Sequence, residues 1–174
     1  MKQRTPKRTS PARTAAVPRP RVYLDSTIPS YYFDERAEIL NYVADTRHWW
    51  DKESAAYDLW LSQATLRELA QGGHPYREKI LEFVRKVQVL PEDRMVLELA
   101  QTYIDHKLMP ASLEGDAAHL AYASFYGFNY LLTWNCNHLA NANKRRHIEV
   151  INNRLGLASP LIVTPQMLVK ETKP

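Results

Sequence analysis

Glu114-Gly115-Asp116-Ala117-Ala118-His119-Leu120-Ala121-Tyr122-Ala123 is followed, after a short gap, by Tyr130-Leu131-Leu132-Thr133-Trp134-Asn135. The first stretch predicts a helix start with little side-chain bulk, because four alanines let other backbone come close. Past Glu114 it carries one carboxylate, Asp116, with no Lys or Arg within a helical turn. The second stretch predicts a buried strand whose C-terminal end turns polar. A small-residue helix feeding a buried strand is a pattern of α/β sheets. Read alone, Asp116 is a first-turn acid favoured by the helix dipole; the rest of the chain decides whether it has company.

Upstream, Arg21-Val22-Tyr23-Leu24-Asp25 reads as a strand ending in an acid, and Ser26, Thr27 and Pro29 turn it into a helix. Asp25 therefore lies at the C-terminal end of the first strand, the end where ligands bind in open α/β sheets. Asp25 or Ser26 could equally cap the following helix, as could Thr27. Residues 36–55 have helical spacing, with a stripe of Ile39, Tyr42, Val43, Thr46, Trp49 and Trp50. The two tryptophans suit a core or interface better than base stacking. Residues 57–62 read as a second strand, and 64–71 as a short helix carrying Glu68 and stopped at Gly72-Gly73. An amphipathic helix follows over 75–87, then an edge strand at 87–90 and a helix over 92–106. The Asp116 helix covers roughly 112–126 and the strand 130–134. A helix over 139–155, a last strand at 161–163 and a terminal helical turn from Thr164-Pro165 complete the chain. Strands alternating with helices predict an α/β fold with a parallel sheet covered on both faces.

With 174 residues and one cysteine, Cys136, the chain predicts a single domain without an internal disulfide. A cytoplasmic setting is expected, with no membrane span and no secretory signal. The net charge of +4 conceals a division. Seven of the 23 basic residues lie in residues 1–21, which hold no acid, leaving 16 against 19 acids and a net of −3 for residues 22–174. The body thus does not announce a nucleic-acid binder by charge. Residues 1–20, interrupted by four prolines, read as a disordered basic tail. A basic arm on nucleic-acid phosphates fits the same composition, whereas the prolines oppose a helical transit peptide.

Asp25 after the first strand, Glu68 beyond the second and Asp116 before the next core strand have the placement of a convergent group, with Asn135 ending that strand. Carboxylates held together repel, and a divalent cation relieves the repulsion. Oxygen donors without a His/Cys cluster favour Mg²⁺ or Mn²⁺ over zinc; Cys136 with His138 is too small a set for zinc. Such a metal activates water and stabilises charge on a phosphoryl oxygen, as phosphodiester hydrolysis requires.

The segments 22–31, 62–68, 115–121 and 162–165, with Leu131-Leu132-Thr133-Trp134-Asn135-Cys136-Asn137-His138-Leu139-Ala140-Asn141-Ala142, resemble the PIN-domain proteins, and within them a VapC-like branch. The resemblance spans nearly all of residues 21–168. It implies a three-layer α/β/α fold over residues 21–174 and a metal-dependent endoribonuclease, the toxin of a type II toxin–antitoxin pair. It implies Asp25, Glu68 and Asp116 as catalytic acids holding Mg²⁺ or Mn²⁺, with Ser26 or Thr27 supporting the site by hydrogen bonds. Asn135 stands where many members carry a fourth acid; its amide can orient a water but adds no charge. That departure keeps open a second reading, a PIN-fold module that binds RNA or protein with little catalysis. An RNA substrate, an antitoxin and a homodimer are the expected partners. Candidates for RNA contact are Arg67 and the run Lys144, Arg145 and Arg146, although the run also fits a solvated helix face. Tyr31, Tyr32, Trp49 and Trp50 are candidates for dimer surface.

Overall fold

The computed structural model describes residues 18–112 and 115–169. Of the predicted basic tail, residues 1–17 lie outside that range, as do Leu113 and Glu114 and residues 170–174. The elements run β1 (Arg21–Leu24), α1 (Thr27–Tyr32), α2 (Leu40–His48), β2 (Asp58–Ser62), α3 (Gln63–Gln71), α4 (Arg77–Phe83) and β3 (Gln88–Leu90). After these come α5 (Arg94–Asp105), α6 (Asp116–Phe125), β4 (Tyr130–Leu132), α7 (Ala142–Arg154) and β5 (Leu161–Val163). All strand pairings are parallel, in the order β3-β2-β1-β4-β5. The three-layer α/β/α arrangement expected from the sequence is the one observed.

The strand order fixes where a site can form. From β1 the chain builds outward through β2 to β3, then crosses back through α5 and α6 to lay β4 on the other side of β1. Neighbouring strands β1 and β4 therefore send their connections in opposite directions. This opens a crevice beyond their C-terminal ends, the usual place for a ligand in such sheets. Strand alternation divides the core accordingly. Tyr23 and Leu131 face α5, α6 and α7, packing with Val96, Leu99, Tyr103, Leu120, Ile148 and Ile151. Val22, Leu24, Leu61 and Leu132 face the other layer, packing with Ile28, Trp49, Leu69, Ile80 and Val84.

Several predicted boundaries shift for local reasons. Residues 36–55 are not one helix: α2 is flanked by a 3₁₀ turn at Ala37–Ile39 and runs into a π-helical turn at Trp49–Glu53 and a 3₁₀ turn at Ser54–Ala56. This wider path accommodates two adjacent indoles, Trp49 wholly buried and Trp50 against Phe83 at 4.5 Å between ring centres. The 75–87 helix shortens to α4 and ends in a 3₁₀ turn at Val84–Lys86. Helix α7 starts at Ala142, later than predicted, because Asn141 accepts from Asn143 N–H at 3.0 Å and caps it there. Strand β4 ends at Leu132, two residues early, because Thr133 and Trp134 turn their polar groups toward the end of β1.

The loop after α1 is clasped to the loop after α3. Asp34, almost fully buried, accepts from the Arg36 guanidinium through both oxygens and lies 3.7 Å from His74 Nε2. The Arg36 hydrogen bonds outweigh burial and hold the Asp34 carboxyl at about 2, below its ordinary 3.8. A depressed acid contributes stability that is complete above its unfolded value and is lost as pH falls toward its folded one. Acid titration of thermal stability should therefore show a loss between about pH 4 and pH 2 that shrinks in Asp34→Asn. Leu131→Ala, at a wholly buried position on the central pair of strands, should cost about 2–5 kcal/mol in denaturant unfolding.

Candidate functional site

The crevice between β1 and β4 is built on one buried carboxylate. Asp25 directly follows β1 and is 2% exposed. Its Oδ1 accepts from the Thr27 backbone N–H at 2.9 Å and from the Thr27 hydroxyl, and its Oδ2 accepts from the Thr133 hydroxyl. Burial still pushes its pKa up, against the His119 charge and these three bonds. Among the described residues it has no Lys or Arg ion pair. Neither Ser26 nor Thr27 caps α1 with its side chain. Instead Asp25 receives the first free N–H, and the Thr27 hydroxyl holds Asp25 while accepting from Trp134 N–H at 2.9 Å.

A chain of hydrogen bonds runs from Asp25 to Asp116. The Thr133 hydroxyl that donates to Asp25 accepts from Asn135 N–H at 2.8 Å. The Asn135 side-chain Nδ2 then donates to Asp116 Oδ1 at 2.7 Å. Asn135 Oδ1 accepts from His138 N–H at 3.1 Å, which fixes the amide orientation. Asn135 therefore turns its donor to Asp116 and uses its carbonyl oxygen on its own loop, rather than offering that oxygen to a water or a metal. Asp116 opens α6, and Ala117, Ala118, Ala121 and Ala123 are all buried, so the helix seats against its neighbours along its small face.

Glu68 joins through a residue to which sequence reasoning assigned no role. His119, one turn after Asp116 and 3% exposed, donates from Nε2 to Glu68 Oε2 at 3.0 Å. Its Nδ1 pairs with the Tyr23 hydroxyl at 2.9 Å, and that hydroxyl reaches Ser62 Oγ at 2.7 Å and Thr65 Oγ1 at 3.1 Å. Burial alone would lower the imidazole pKa, but Tyr23, Glu68 and Asp25 together hold it well above its ordinary value. Burial likewise acts to raise Glu68, yet the His119 bond and charge prevail, with a smaller contribution from Ser26, and it is lowered. The i, i+3 spacing of Asp116 and His119 was a signal for this residue. Thr133 offered a weaker one, as the polar residue ending an apolar run.

Among the described residues, no three His, Cys, Asp or Glu side chains are grouped so as to hold a metal ion. Asp25 and Asp116 are linked by hydrogen bonds, Glu68 is held separately on His119, and the three form no closed cage. Their chemistry fits a hard cation in one respect: Asp25 is a buried carboxylate without a cationic side chain bonded to it, and Asp116 keeps Oδ2 outside the Asn135 bond.

The predicted basic contacts are dispersed. Arg67 pairs with Glu92, and Lys144 donates to the Leu108 carbonyl at 2.9 Å. Arg145 pairs with Glu149 beside an apolar groove between α7 and β5, and Arg146 is exposed. Trp49 is fully buried, so it offers no surface for a dimer or for a base. No helix among the described residues is long and apolar enough to cross a membrane.

No protein-family model matches the sequence, and no curated protein does. Solved structures do match by fold. VapC20 of Mycobacterium tuberculosis, a sarcin–ricin-loop-cleaving toxin, aligns over 70% of this chain and 95% of its own, with 16% identity and a TM-score of 0.53. VapBC2 of Rickettsia felis, solved bound to a DNA fragment from its promoter, aligns over 83% of this chain and 98% of the matched one, with 12% identity and a TM-score of 0.52. This chain has the VapC-like PIN-domain fold.

Asn135→Asp would replace the donor facing Asp116 Oδ1 with a second carboxylate. One of the pair then has a raised pKa in the folded state, so stability falls as pH rises through it. Thermal unfolding should show Asn135→Asp less stable than the parent at pH 7, with the deficit shrinking toward pH 4.

Proposed function

We propose that this PIN-fold chain is a metal-dependent endoribonuclease acting as the toxin of a toxin–antitoxin pair. The observation that carries the reading is the hydrogen-bonded path Asp25–Thr133–Asn135–Asp116 across the switch point of the sheet. It joins two carboxylates at the sheet end where a ligand would enter. The fold shared with a toxin that cleaves the sarcin–ricin loop supports the same substrate class.

Mg²⁺ or Mn²⁺ would be held by Asp25 and Asp116, with Glu68 as the third acid; Mg²⁺ commonly uses one or two carboxylates plus substrate phosphates. When bound, such an ion supplies a water of lowered pKa and charge for the phosphoryl oxygen. The chain's own residues do the positioning. Thr27 and Thr133 fix the Asp25 rotamer, Asn135 aims Asp116, and His119 holds Glu68. Asn135 adds no charge, so the ligand set is three carboxylates.

An antitoxin segment would cover the same acids, and an Arg from it would pair with them bidentately. The net of −3 over residues 22–174 favours a basic partner. Homodimer surface would come from half-buried Tyr31, Tyr32 and Trp50 and from exposed Leu40. We assign the protein to the cytoplasm on its single free cysteine. A PIN-fold module that binds RNA with little catalysis is the second reading, favoured by the absence of a closed ligand cage among the described residues.

Incubation of single-stranded RNA with the full chain and Mg²⁺ or Mn²⁺ should give cleavage that chelator abolishes. Asp116→Asn should lower the rate by roughly a hundredfold or more, since metal charge stabilisation is worth several kcal/mol, with the circular dichroism spectrum kept. Undiminished cleavage by Asp116→Asn would sink the mechanism. RNA binding without metal-dependent cleavage would select the second reading.

A further inference from the structure

Three aromatic rings run outward from the Asp25 end of the sheet and take no part in holding the acids. Tyr31 lies on α1 one turn after Thr27, and its carbonyl accepts from Asp34 N–H at 3.2 Å. It stacks on Trp134 with ring planes 15° apart and centres 6.3 Å apart. On α2, Tyr42 approaches Trp134 at 4.7 Å between centres. Trp134 sits between Thr133 and Asn135 and is held at both ends. Its backbone N–H donates to Thr27, and its Nε1 donates to Thr46 Oγ1 at 2.7 Å.

The outermost ring remains in solvent. Trp134 is 8% exposed, whereas Tyr42 is 45% exposed. The buried residues of α2 are Val43 and Thr46; Tyr42 meets the core only through Trp134, and the rest of its ring is exposed. A rigid aromatic ring, backed by a second and a third, is a preorganised surface for a flat partner. Unpaired nucleobases stack on such rings with little regard to sequence. The Arg36 guanidinium makes no hydrogen bond through Nη1 among the described residues and is fixed through Nε and Nη2 on Asp34, whose N–H donates to the Tyr31 carbonyl at the inner end of the row. A phosphate further along a strand running inward from that ring would find a donor there.

We propose that Tyr42, backed by Trp134 and Tyr31, is a stacking subsite for an unpaired base of single-stranded RNA next to the acids. This rests on the ribonuclease reading and adds to it where the strand lies: along α1 and α2, away from the Lys144–Arg146 face of α7.

The test uses the full chain carrying Asp116→Asn, to keep RNA intact, and a single-stranded RNA containing 2-aminopurine. Anisotropy gives the Kd, and quenching of 2-aminopurine reports stacking. Tyr42→Ala should weaken binding by about tenfold and relieve the quenching, and Tyr42→Phe, which keeps the ring, should rescue both. With Asp116 restored, Tyr42→Ala should raise KM more than it lowers kcat. RNA affinity and quenching unchanged in Tyr42→Ala would overturn the subsite. So would unchanged RNA affinity accompanied by loss of self-association in light scattering, which would assign the ring to a protein contact. Cleaving parent protein with an insensitive Tyr42→Ala leaves the ribonuclease reading standing without the subsite. Non-cleaving parent protein whose RNA binding still depends on Tyr42 leaves the subsite standing without that reading.

Discussion

The buried Asp25 carboxylate is the constraint on which the rest of this structure depends. A carboxylate at the end of a central strand, almost out of contact with water, is costly unless its oxygens are bonded. Thr27 and Thr133 supply those bonds from the segments that leave β1 and β4. The same two hydroxyls accept from Trp134 N–H and Asn135 N–H. Satisfying one acid therefore fixes the path of the loop after β4, and that loop delivers the Asn135 amide to Asp116.

Two networks meet at this end of the sheet with different electrostatic characters. The Asp25–Asp116 path contains only neutral donors, so neither acid receives a formal positive charge through it. The Glu68–His119–Tyr23 path carries an imidazole whose pKa is raised and whose partner's is lowered, as expected of an ion pair in a buried setting. Glu68 thus already has a hydrogen-bonded cationic partner, whereas Asp25 is bonded only to neutral donors and feels the His119 charge without a bond to it. The three sequence-predicted acids are similar in chemistry and unequal in their hydrogen-bond surroundings.

Much of the fold was legible before any coordinates. The apolar runs at 22–24, 130–132 and 161–163 are strands, and the small-residue stretch from Asp116 is a helix, because period and side-chain bulk act locally. The positions of Asp25 and Asp116 also followed, since strand ends and helix starts can be read from polarity changes. What escaped was pairwise geometry. That Asn135 meets Asp116, 19 residues away, is not a local property; once it does, the His138 N–H three residues on occupies the amide oxygen and the nitrogen donates to the acid. His119 was visible in the motif, but its partners are 51 and 96 residues away in sequence. The tryptophan pair misled for a related reason. Helical period places Trp49 and Trp50 on one stripe, and the π-helical turn instead buries one and leaves the other at the edge of the layer. The basic run at 144–146 looked like one surface, yet Lys144 turns inward to the Leu108 carbonyl.

Asp25 and Asp116, joined through Thr133 and Asn135, are proposed as the cation-binding end of the sheet. Anomalous diffraction from a crystal of the full chain soaked in Mn²⁺ tests this most directly. The expected result is a manganese peak bonded to carboxylate oxygens of both Asp25 and Asp116. A peak bonded to neither of them, or none at a concentration that saturates cleavage, would contradict it.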